Sequence, residues 1–287
     1  RQMCIRDSYT SVHAAIIDQL GETGRIIGVC EPRYMDTPAI REGLKAGRIA
    51  DMGEATAPNV EMMIDKGAEH VIVSPFQNSG YGPVEKLGIP IIEGADYMES
   101  LPLGRTEWIR FYGMLFGKEG LADSIFRQTE KSYLDLKQLV TADIPHPTVI
   151  SEKKFGASWF MPAGDSYIAN MYADAGADYV FKELPGAGST PLAFETVLDR
   201  AIHADMWLIK YNQSEDMTYG DLRAEYAPYE NFDAFKNRRI YSCNTGLVPY
   251  YEEFPLHPDY LLKDLIWVFH PELLPGYSPR YYRKMQD

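Results

Sequence analysis

Residues 102–110 read PLGRTEWIR and run on to FGKE at residues 116–119. The pattern recurs as PLHPDYLLK at residues 255–263, which runs on to FHPE at residues 269–272. Both copies place a proline, a leucine, a basic residue, a phenylalanine and a glutamate at matching positions. This repetition predicts two similar lobes within one chain. The alternative is a chance similarity between amphipathic helices, because such helices readily share leucine, lysine and glutamate patterns.

An earlier pair of segments repeats in the same order. NVEMMIDK at residues 59–66 precedes VIV at residues 71–73, and AFETVLDR at residues 193–200 precedes WLI at residues 207–209. Each pair is typical of a helix followed by a buried strand. Matching elements in one order favour duplication over chance, and two similar lobes predict a groove between them.

Short strands alternate with helices along both predicted lobes. Apolar runs such as residues 70–74 and 207–210 are typical of strands, and the amphipathic stretches between such runs are typical of helices. This alternation predicts the α/β class, in which each lobe is a mostly parallel sheet flanked by helices.

A longer helix is predicted between the lobes. Apolar side chains recur at helical spacing over residues 119–140, with no glycine or proline after Gly120. At 1.5 Å per residue this stretch is a rod of about 30 Å. We therefore predict an N-terminal lobe at residues 1–118, a single connecting helix at 119–141 and a C-terminal lobe at 142–287. The alternative is a long surface helix inside one domain.

Composition limits the kinds of partner. The 287 residues include 41 acidic and 28 basic side chains, a formal net charge of −13. This balance argues against nucleic acid, which needs clustered lysine and arginine. The three cysteines are widely spaced and contain no Cys-x-x-Cys, so neither a disulfide framework nor a zinc site is expected.

Catalytic motifs are missing from the sequence. Neither the phosphate-binding glycine patterns nor the Gly-x-Ser-x-Gly nucleophile motif occurs. The six histidines show no pair at i, i+4, and His257 and Asp259 flank a proline that favours a turn. We expect no catalytic residue, no resident cofactor and no metal site formed by the protein alone.

The first eight residues, RQMCIRDS, fit nothing that follows and resemble translated sequencing-adapter text. We expect them to be non-native and to replace the natural start of the chain. An export signal or a lipid-anchor cysteine would have been lost with that start, so Cys4 carries no implication of lipidation.

Aromatic residues gather where loops are predicted to follow strands. These loops are residues 76–81, 96–105, 159–161 and 244–252. Ligands of open α/β sheets bind outside the carboxyl ends of the strands, so these loops are the candidate binding surface. The alternative is that each loop is aromatic only because it seals the edge of its own sheet.

Several of these elements together resemble a known family. They are NVE at residues 59–61, PLGR at 102–105, the connecting helix, WFMPAGDS at 159–166, DAG at 174–176 and the Phe194-Glu195 helix start. In this order they resemble the substrate-binding proteins of ABC importers for vitamin B12, iron-siderophores and haem, whose two lobes are joined by one long helix. The resemblance covers nearly all of residues 9–283.

The resemblance implies a function as well as a fold. It implies that the chain binds a metal chelate in the cleft between its lobes and delivers it, as a monomer, to the permease subunits of an ABC transporter. It also implies a bacterial lipoprotein in the periplasm or on the outer face of the membrane. The alternative is a hydrolase or chelatase that acts on a metal chelate on a similar scaffold.

Residue roles follow from the same resemblance. Glu61 and Glu195 are implied to dock on permease arginines, one from each lobe, and Arg105 suits an anionic group of the ligand. The implied ligand contacts are Tyr9, Phe76, Tyr81, Tyr97, Arg105, Trp159, Phe160, Met161, Tyr211, Asn244, Tyr250, Tyr251 and Glu252.

Two departures from the family pattern are visible. The first strand, expected just before Tyr9, is absent or overwritten by the suspect octapeptide, and residues 3–5 are candidates for its place. The insertion at residues 211–229 is longer than the family minimum, so the resemblance does not identify the chelate.

Overall fold

The computed structural model describes residues 7–8, 11–75 and 80–287. The predicted ligand contacts Tyr9 and Phe76 lie outside these residues. Internal contacts divide the chain into two compact units. Unit 1 contains Arg1–Glu99, Gly104–Thr129 and Tyr251–Leu256, and unit 2 contains Ser100–Leu103, Glu130–Tyr250 and His257–Asp287.

Unit 1 is built around a parallel sheet. Its strands and helices, in chain order, are β1 Asp7–Ser8, α1 Ser11–Gln19, β2 Gly28–Val29, α2 Pro38–Lys45, β3 Ala50–Asp51, β4 Gly53–Glu54, β5 Ala57–Pro58, α3 Val60–Asp65, β6 Val71–Val73, β7 Ile91–Glu93, α4 Pro102–Phe116 and α5 Glu119–Lys137.

The strand order of this sheet is β3-β2-β1-β6-β7, and every pairing in it is parallel. All three residues of β6 are buried, as expected for a strand covered on both faces. Strands β4 and β5 form a separate antiparallel pair. One buried core cluster of unit 1 includes Ile16, Ile17, Ile109 and Tyr112.

The first strand of unit 1 is present at Asp7–Ser8. Asp7 pairs in parallel with Gly28 of β2 and with Val71 of β6, so β1 lies at the centre of the sheet. The strand is therefore formed by the last two residues of the suspect octapeptide, whereas residues 3–5 lie outside the described part of the chain.

Helix α5 carries the chain from unit 1 to unit 2, since the division falls between Thr129 and Glu130. Phe126 is buried in the part of the helix that belongs to unit 1, and Tyr133 is buried in the part that belongs to unit 2. Helix α5 covers Glu119–Lys137. The division of the chain into lobes around a connector at residues 119–141 stays a prediction.

Unit 2 contains a second five-stranded sheet. The elements of this part of the chain are β8 Thr148–Ser151, β9 Lys154–Phe155, β10 Ser158–Pro162, α6 Tyr167–Asp174, β11 Asp178–Tyr179, β12 Ser189–Leu192, α7 Phe194–Ala201, β13 Met206–Tyr211, α8 Tyr219–Glu225, α9 Asp233–Lys236, β14 Ile240–Asn244, α10 Tyr250–Glu253, α11 Pro258–Phe269 and β15 Arg283–Lys284. All belong to unit 2 except the last three residues of α10, which belong to unit 1.

The order of this sheet is β11-β8-β13-β14-β15, parallel except for the edge strand β15. Strands β9, β10 and β12 form a smaller antiparallel sheet. The four parallel strands of unit 2 repeat the topology β2-β1-β6-β7 of unit 1. Helices α4 and α11, which carry the two copies of the repeated sequence, each follow the fourth of these strands.

The predicted α/β class is confirmed, with a mostly parallel sheet flanked by helices in each lobe. The predicted loop at residues 159–161 is wrong, because these residues belong to β10 and pair with β12. Alternating burial along Ser158–Pro162 explains the strand: Trp159 and Met161 point into the unit and Phe160 points outward. In the described ranges, no helix is both long and apolar enough to cross a membrane.

Candidate functional site

A buried polar cluster lies at the carboxyl ends of the unit 1 strands. Ser74 directly follows β6, Asp96 follows β7 in a short 3₁₀ turn, and His13 is in the helix that follows β1. All three side chains are buried, with His13 fully inaccessible. Because ligands of parallel sheets bind at this edge, the cluster is the natural starting point for a site.

Asp96 is the centre of the cluster. Its Oδ2 accepts a hydrogen bond from Arg105 Nε at 3.0 Å, and its Oδ1 lies 3.6 Å from His13 Nε2. Burial alone raises the pKa of Asp96, but His13 and Arg105 outweigh burial and the net pKa is lowered. Asp96 is therefore a carboxylate at neutral pH.

Arg105 is in the first turn of α4, where a cation opposes the helix dipole. Asp96 offsets this charge, and the guanidinium carbon packs 5.0 Å from the centre of the Phe254 ring. The side chain keeps 14% of its surface exposed. Arg105 is thus held on one edge and one face and remains partly open to solvent.

The cluster does not have the geometry of a hydrolytic triad. His13 Nε2 lies 3.5 Å from Ser74 Oγ, and Asp96 approaches the same nitrogen. A triad needs the acid on the other ring nitrogen, where it orients the base. The arrangement is suited to holding Arg105.

Gly94 makes this close packing possible. A Cβ atom at this position would lie 2.5 Å from Tyr112 Oη and 2.8 Å from His13 Nε2. Both side chains are fully buried and cannot move aside easily. The chain after β7 therefore passes over the cluster only because residue 94 has no side chain.

Predicted aromatic contacts surround this edge of unit 1. Tyr97 is 43% exposed and donates its hydroxyl hydrogen bond to the carbonyl oxygen of Pro75. Tyr81 donates to Glu93 Oε1 at 2.5 Å, and burial together with Glu93 raises the pKa of Tyr81 to about 12. Both rings keep part of their surface exposed.

Two predicted residues in the Tyr251–Leu256 segment have different surroundings. Tyr251 is 51% exposed and packs edge-on against Phe254. Glu252 is buried, and its Oε1 accepts hydrogen bonds from the Thr37 hydroxyl at 2.9 Å and the Asp36 amide at 2.9 Å. Burial raises the pKa of Glu252 more than these bonds lower it. Glu252 therefore joins two segments of unit 1.

A cavity of about 350 Å³ opens beside α4 in unit 1. Trp108 and Phe111 line it with ring centres 5.5 Å apart, and Trp108 Nε1 donates to Glu99 at 3.0 Å. Glu93 and Glu107 complete an acidic rim. The carboxylates of Glu93, Glu99 and Glu107 each already accept a hydrogen bond from a neighbouring side chain.

In unit 2 the predicted contact Trp159 is part of the core. Its indole is fully buried, packs against Phe194, Trp207 and Tyr229, and donates from Nε1 to the Ser151 carbonyl at 2.9 Å. Met161 is also fully buried. The next residue in β10, Phe160, is 45% exposed and is the member of this predicted group that can contact a ligand.

Three further predicted contacts hold unit 2 together. The Tyr211 hydroxyl accepts from the Met217 amide at 2.8 Å, and Asn244 Oδ1 accepts from the Gln213 amide at 3.1 Å. Tyr250 is buried edge-on against Tyr281. These side chains order the loops at the carboxyl ends of β13 and β14.

Lys210 and Glu152 form an ion pair at the carboxyl edge of the unit 2 sheet. This pair was not predicted from the sequence. Lys210 is the only charged residue of β13, and Glu152 directly follows β8. The one signal was a lysine in the otherwise apolar strand MWLIKY. Burial lowers the pKa of Lys210, but Glu152 and nearby tyrosines outweigh burial and keep that pKa well above its usual value.

The predicted docking acids are in equivalent places. Glu61 is exposed in the first turn of α3, and Glu195 is exposed in the first turn of α7. Asn59 caps α3 by accepting from the Met62 amide at 3.0 Å. An acid in the first turn is favoured by the helix dipole, so local physics explains these positions without a partner.

No three histidine, cysteine, aspartate or glutamate side chains converge as metal ligands within residues 11–75 and 80–287. The clusters described above offer hydrogen bonds, charge and aromatic surface.

Comparison with known proteins places this architecture in a family. An uncharacterized lipoprotein of Methanocaldococcus jannaschii is 26% identical over 286 residues, an alignment that covers 96% of this chain and 67% of that protein. This relative is archaeal, so it does not support the expected bacterial source.

Solved structures share the fold at low identity. A periplasmic heme binding protein from Pseudomonas aeruginosa has a TM-score of 0.72 at 16% identity and 99% coverage of both chains. An ABC-type Fe3+-hydroxamate transport protein from Saccharomonospora viridis has a TM-score of 0.71 at 15% identity, with 93% of both chains covered. The family model described as periplasmic binding protein matches residues 8–245. The chain therefore belongs to the periplasmic binding protein family.

Proposed function

We propose that the chain binds a metal chelate of the iron-siderophore, haem or corrinoid type and delivers it to the permease of an ABC importer. Membership of the periplasmic binding protein family carries this proposal. Solved proteins of the same fold are described as binding heme and as transporting Fe3+-hydroxamate, which supports a chelate as the ligand. The prediction that the chelate lies in a cleft between the lobes stays a prediction.

The proposed ligand contacts are the predicted residues that keep exposed surface. In unit 1 these are Tyr81, Tyr97, Arg105 and Tyr251, and in unit 2 Phe160. Tyrosine and phenylalanine provide flat apolar area for a macrocycle or a chelate backbone, and Arg105 provides a charged fork for a carboxylate.

The ligand class is tested on protein purified from its own source. Native mass spectrometry and visible absorption should show a coloured adduct that carries iron or cobalt. Titration of the stripped protein with haem, a ferric hydroxamate and a corrinoid should then identify the tightest binder. Protein that arrives without a chelate and binds none of the three would contradict the proposal.

We propose further that Glu61 and Glu195 dock on basic residues of the permease. Two exposed carboxylates at equivalent helix starts can steer association through charge. Glu61→Arg with Glu195→Arg should abolish transport in reconstituted vesicles and leave chelate affinity unchanged. Matched controls are Asp65→Arg and Asp199→Arg, which reverse exposed acids on the same helices. Transport by the Glu61/Glu195 variant at the rate of these controls would remove the docking role.

The place of action follows from the proposed partner. A protein that supplies an importer works outside the cytoplasmic membrane, and the archaeal relative is named a lipoprotein. We propose attachment at the outer face of the membrane or residence in the periplasm. Fractionation of cells that express the full natural gene tests this, and recovery in the cytosolic fraction would contradict it.

A further inference from the structure

We propose that Lys210, in unit 2, recognises an anionic group of the chelate. Glu152 forms an ion pair with the Lys210 ammonium until the anionic group of the chelate displaces the Glu152 carboxylate. This inference rests on the proposed function and adds that the chain selects anionic chelates over neutral ones. It assigns a binding role to two residues that neither the sequence nor the family resemblance indicated.

The position of the pair is the first argument. Lys210 is the fifth residue of the six-residue strand β13, and Glu152 comes directly after β8, its parallel neighbour. Both side chains therefore lie at the carboxyl edge of the unit 2 sheet, where α/β proteins bind ligands. The pair is partly open, since 15% of Lys210 and 23% of Glu152 is exposed.

The backbone of Glu152 is the second argument. Its φ is 63°, in the left-handed backbone region that residues other than glycine and asparagine rarely occupy. The conformation is held by its amide, which donates to the Leu208 carbonyl at 2.8 Å, and by its carbonyl, which accepts from Trp207 Nε1 at 2.7 Å. Strain of this kind is retained mainly where the surroundings enforce it, often at functional sites.

Buried hydroxyl groups near the ammonium are the third argument. Tyr282 Oη is fully buried, and no described residue offers it a hydrogen bond. Tyr172 and Tyr282 lie close enough to raise the pKa of Lys210. Hydroxyl groups around a cation are suitable donors for an incoming anion.

Charge decides which chelates fit. A buried lysine keeps its proton because a carboxylate compensates it, so removing Glu152 without replacement would be costly. A carboxylate of the ligand can take the place of Glu152 at the ammonium, and the displaced Glu152 carboxylate, which is 23% exposed, then keeps its charge in contact with solvent. A neutral chelate cannot make this exchange, because it would leave the ammonium uncompensated.

The test uses matched anionic and neutral probes. Affinities for haem, which carries two propionates, and for its neutral dimethyl ester are measured on wild type, Lys210→Met, Lys210→Arg, Glu152→Gln and the double variant Lys210→Met/Glu152→Gln. Ferric citrate and a neutral ferric trihydroxamate form a second pair. Lys182→Met is the control, because it removes a lysine from an exposed ion pair with Asp178.

Lys210→Met and the double variant should bind the anionic probes about tenfold more weakly, the equivalent of one charge-assisted hydrogen bond. Their affinity for neutral probes should change less than about twofold. Lys210→Arg should restore most of the loss, and Glu152→Gln should bind anionic probes at least as tightly as wild type because the competing carboxylate is gone. The double variant keeps the test valid if Lys210→Met alone fails to fold.

Two results overturn the inference while the proposed function stands. One is anionic binding by the double variant at the level of wild type. The other is a loss in Glu152→Gln as large as in Lys210→Met, which indicates a purely structural pair. A wild-type protein that binds none of the four probes and no corrinoid overturns the proposed function, and the inference falls with it.

Discussion

Arg105 Nε donates to Asp96 Oδ2 at 3.0 Å, and the other oxygen of the same carboxylate faces His13. One buried acid thus organises two basic side chains at the edge of the unit 1 sheet.

The pKa of Asp96 is lower in the folded chain than its ordinary value of 3.8. The stabilisation from this carboxylate is therefore present above pH 3.8 and is lost as the pH falls through the lowered pKa. We expect Asp96→Asn to have a lower free energy of unfolding than wild type at pH 6. The difference between the two free energies should become smaller as the solution is made acidic. Urea unfolding at several pH values measures this, and a difference independent of pH would contradict it.

Gly94→Ala should destabilise unit 1 by about 1 to 3 kcal/mol, because the new Cβ would overlap the buried Tyr112 hydroxyl and His13 ring. Adding Tyr112→Phe should recover part of this loss by removing one of the overlapping atoms. The control is Gly120→Ala in α5, where a Cβ meets nothing within 4 Å and helix propensity favours alanine. Equal thermal stability of the two single variants would show that the overlap is relieved at no cost.

Trp159→Ala should lower stability by about 3 to 5 kcal/mol, because it removes the centre of a buried aromatic cluster. Phe160→Ala, at the neighbouring exposed position, should cost less than about 1 kcal/mol. Under the proposed function the two variants should affect chelate affinity in the opposite order. Phe160→Ala should bind the chelate more weakly than wild type, whereas the folded fraction of Trp159→Ala should bind it with wild-type affinity. Calorimetric titration beside thermal unfolding separates the two effects.

Asp264→Ala should release the C-terminal segment from α11. The carboxylate accepts from the Tyr277 hydroxyl at 2.7 Å and from the amides of Arg280, Tyr281 and Tyr282. Leaving these donors unpaired should cost at least about 2 kcal/mol. Amide hydrogen exchange should rise at residues 280–282, and unchanged protection there would contradict this role.

The pH dependence of the Asp264 effect is opposite to that of Asp96. Burial raises the pKa of Asp264 more than its hydrogen bonds lower it. Its favourable contribution is therefore fully present below pH 3.8 and is reduced as the pH rises through the raised pKa. The destabilisation by Asp264→Ala should be larger in acid than at neutral pH.

The fold could be predicted because hydrophobic periodicity and repetition are local properties of the sequence. The paired segments around Glu61 and Glu195 became α3 and α7, each followed by a sheet strand. The predicted loop at residues 159–161 failed because Gly156 and Pro162, three positions on either side of Trp159, are equally compatible with a loop and with a short strand. Only the pairing of β10 with β12 decides which way that ring points.

The polar clusters could not be predicted, because their members are distant in sequence. His13 and Asp96 are 83 positions apart, and Glu152 and Lys210 are 58 positions apart. Apart from Lys210, which stands out in an apolar strand, none of these residues is unusual for its helix, turn or strand. Strand order brings them together, and strand order is a property of the whole sheet.

The Tyr251–Leu256 segment belongs to unit 1 although the chain on both sides of it belongs to unit 2. Leu256 packs in the unit 1 core, and the Pro255 carbonyl accepts from the buried Thr106 hydroxyl at 3.0 Å. During synthesis on the ribosome, the N-terminal half therefore lacks part of its core until residue 256 has emerged. Unit 1 is therefore not a free-standing N-terminal module, and a gene truncated after α5 would encode a body that lacks part of its core.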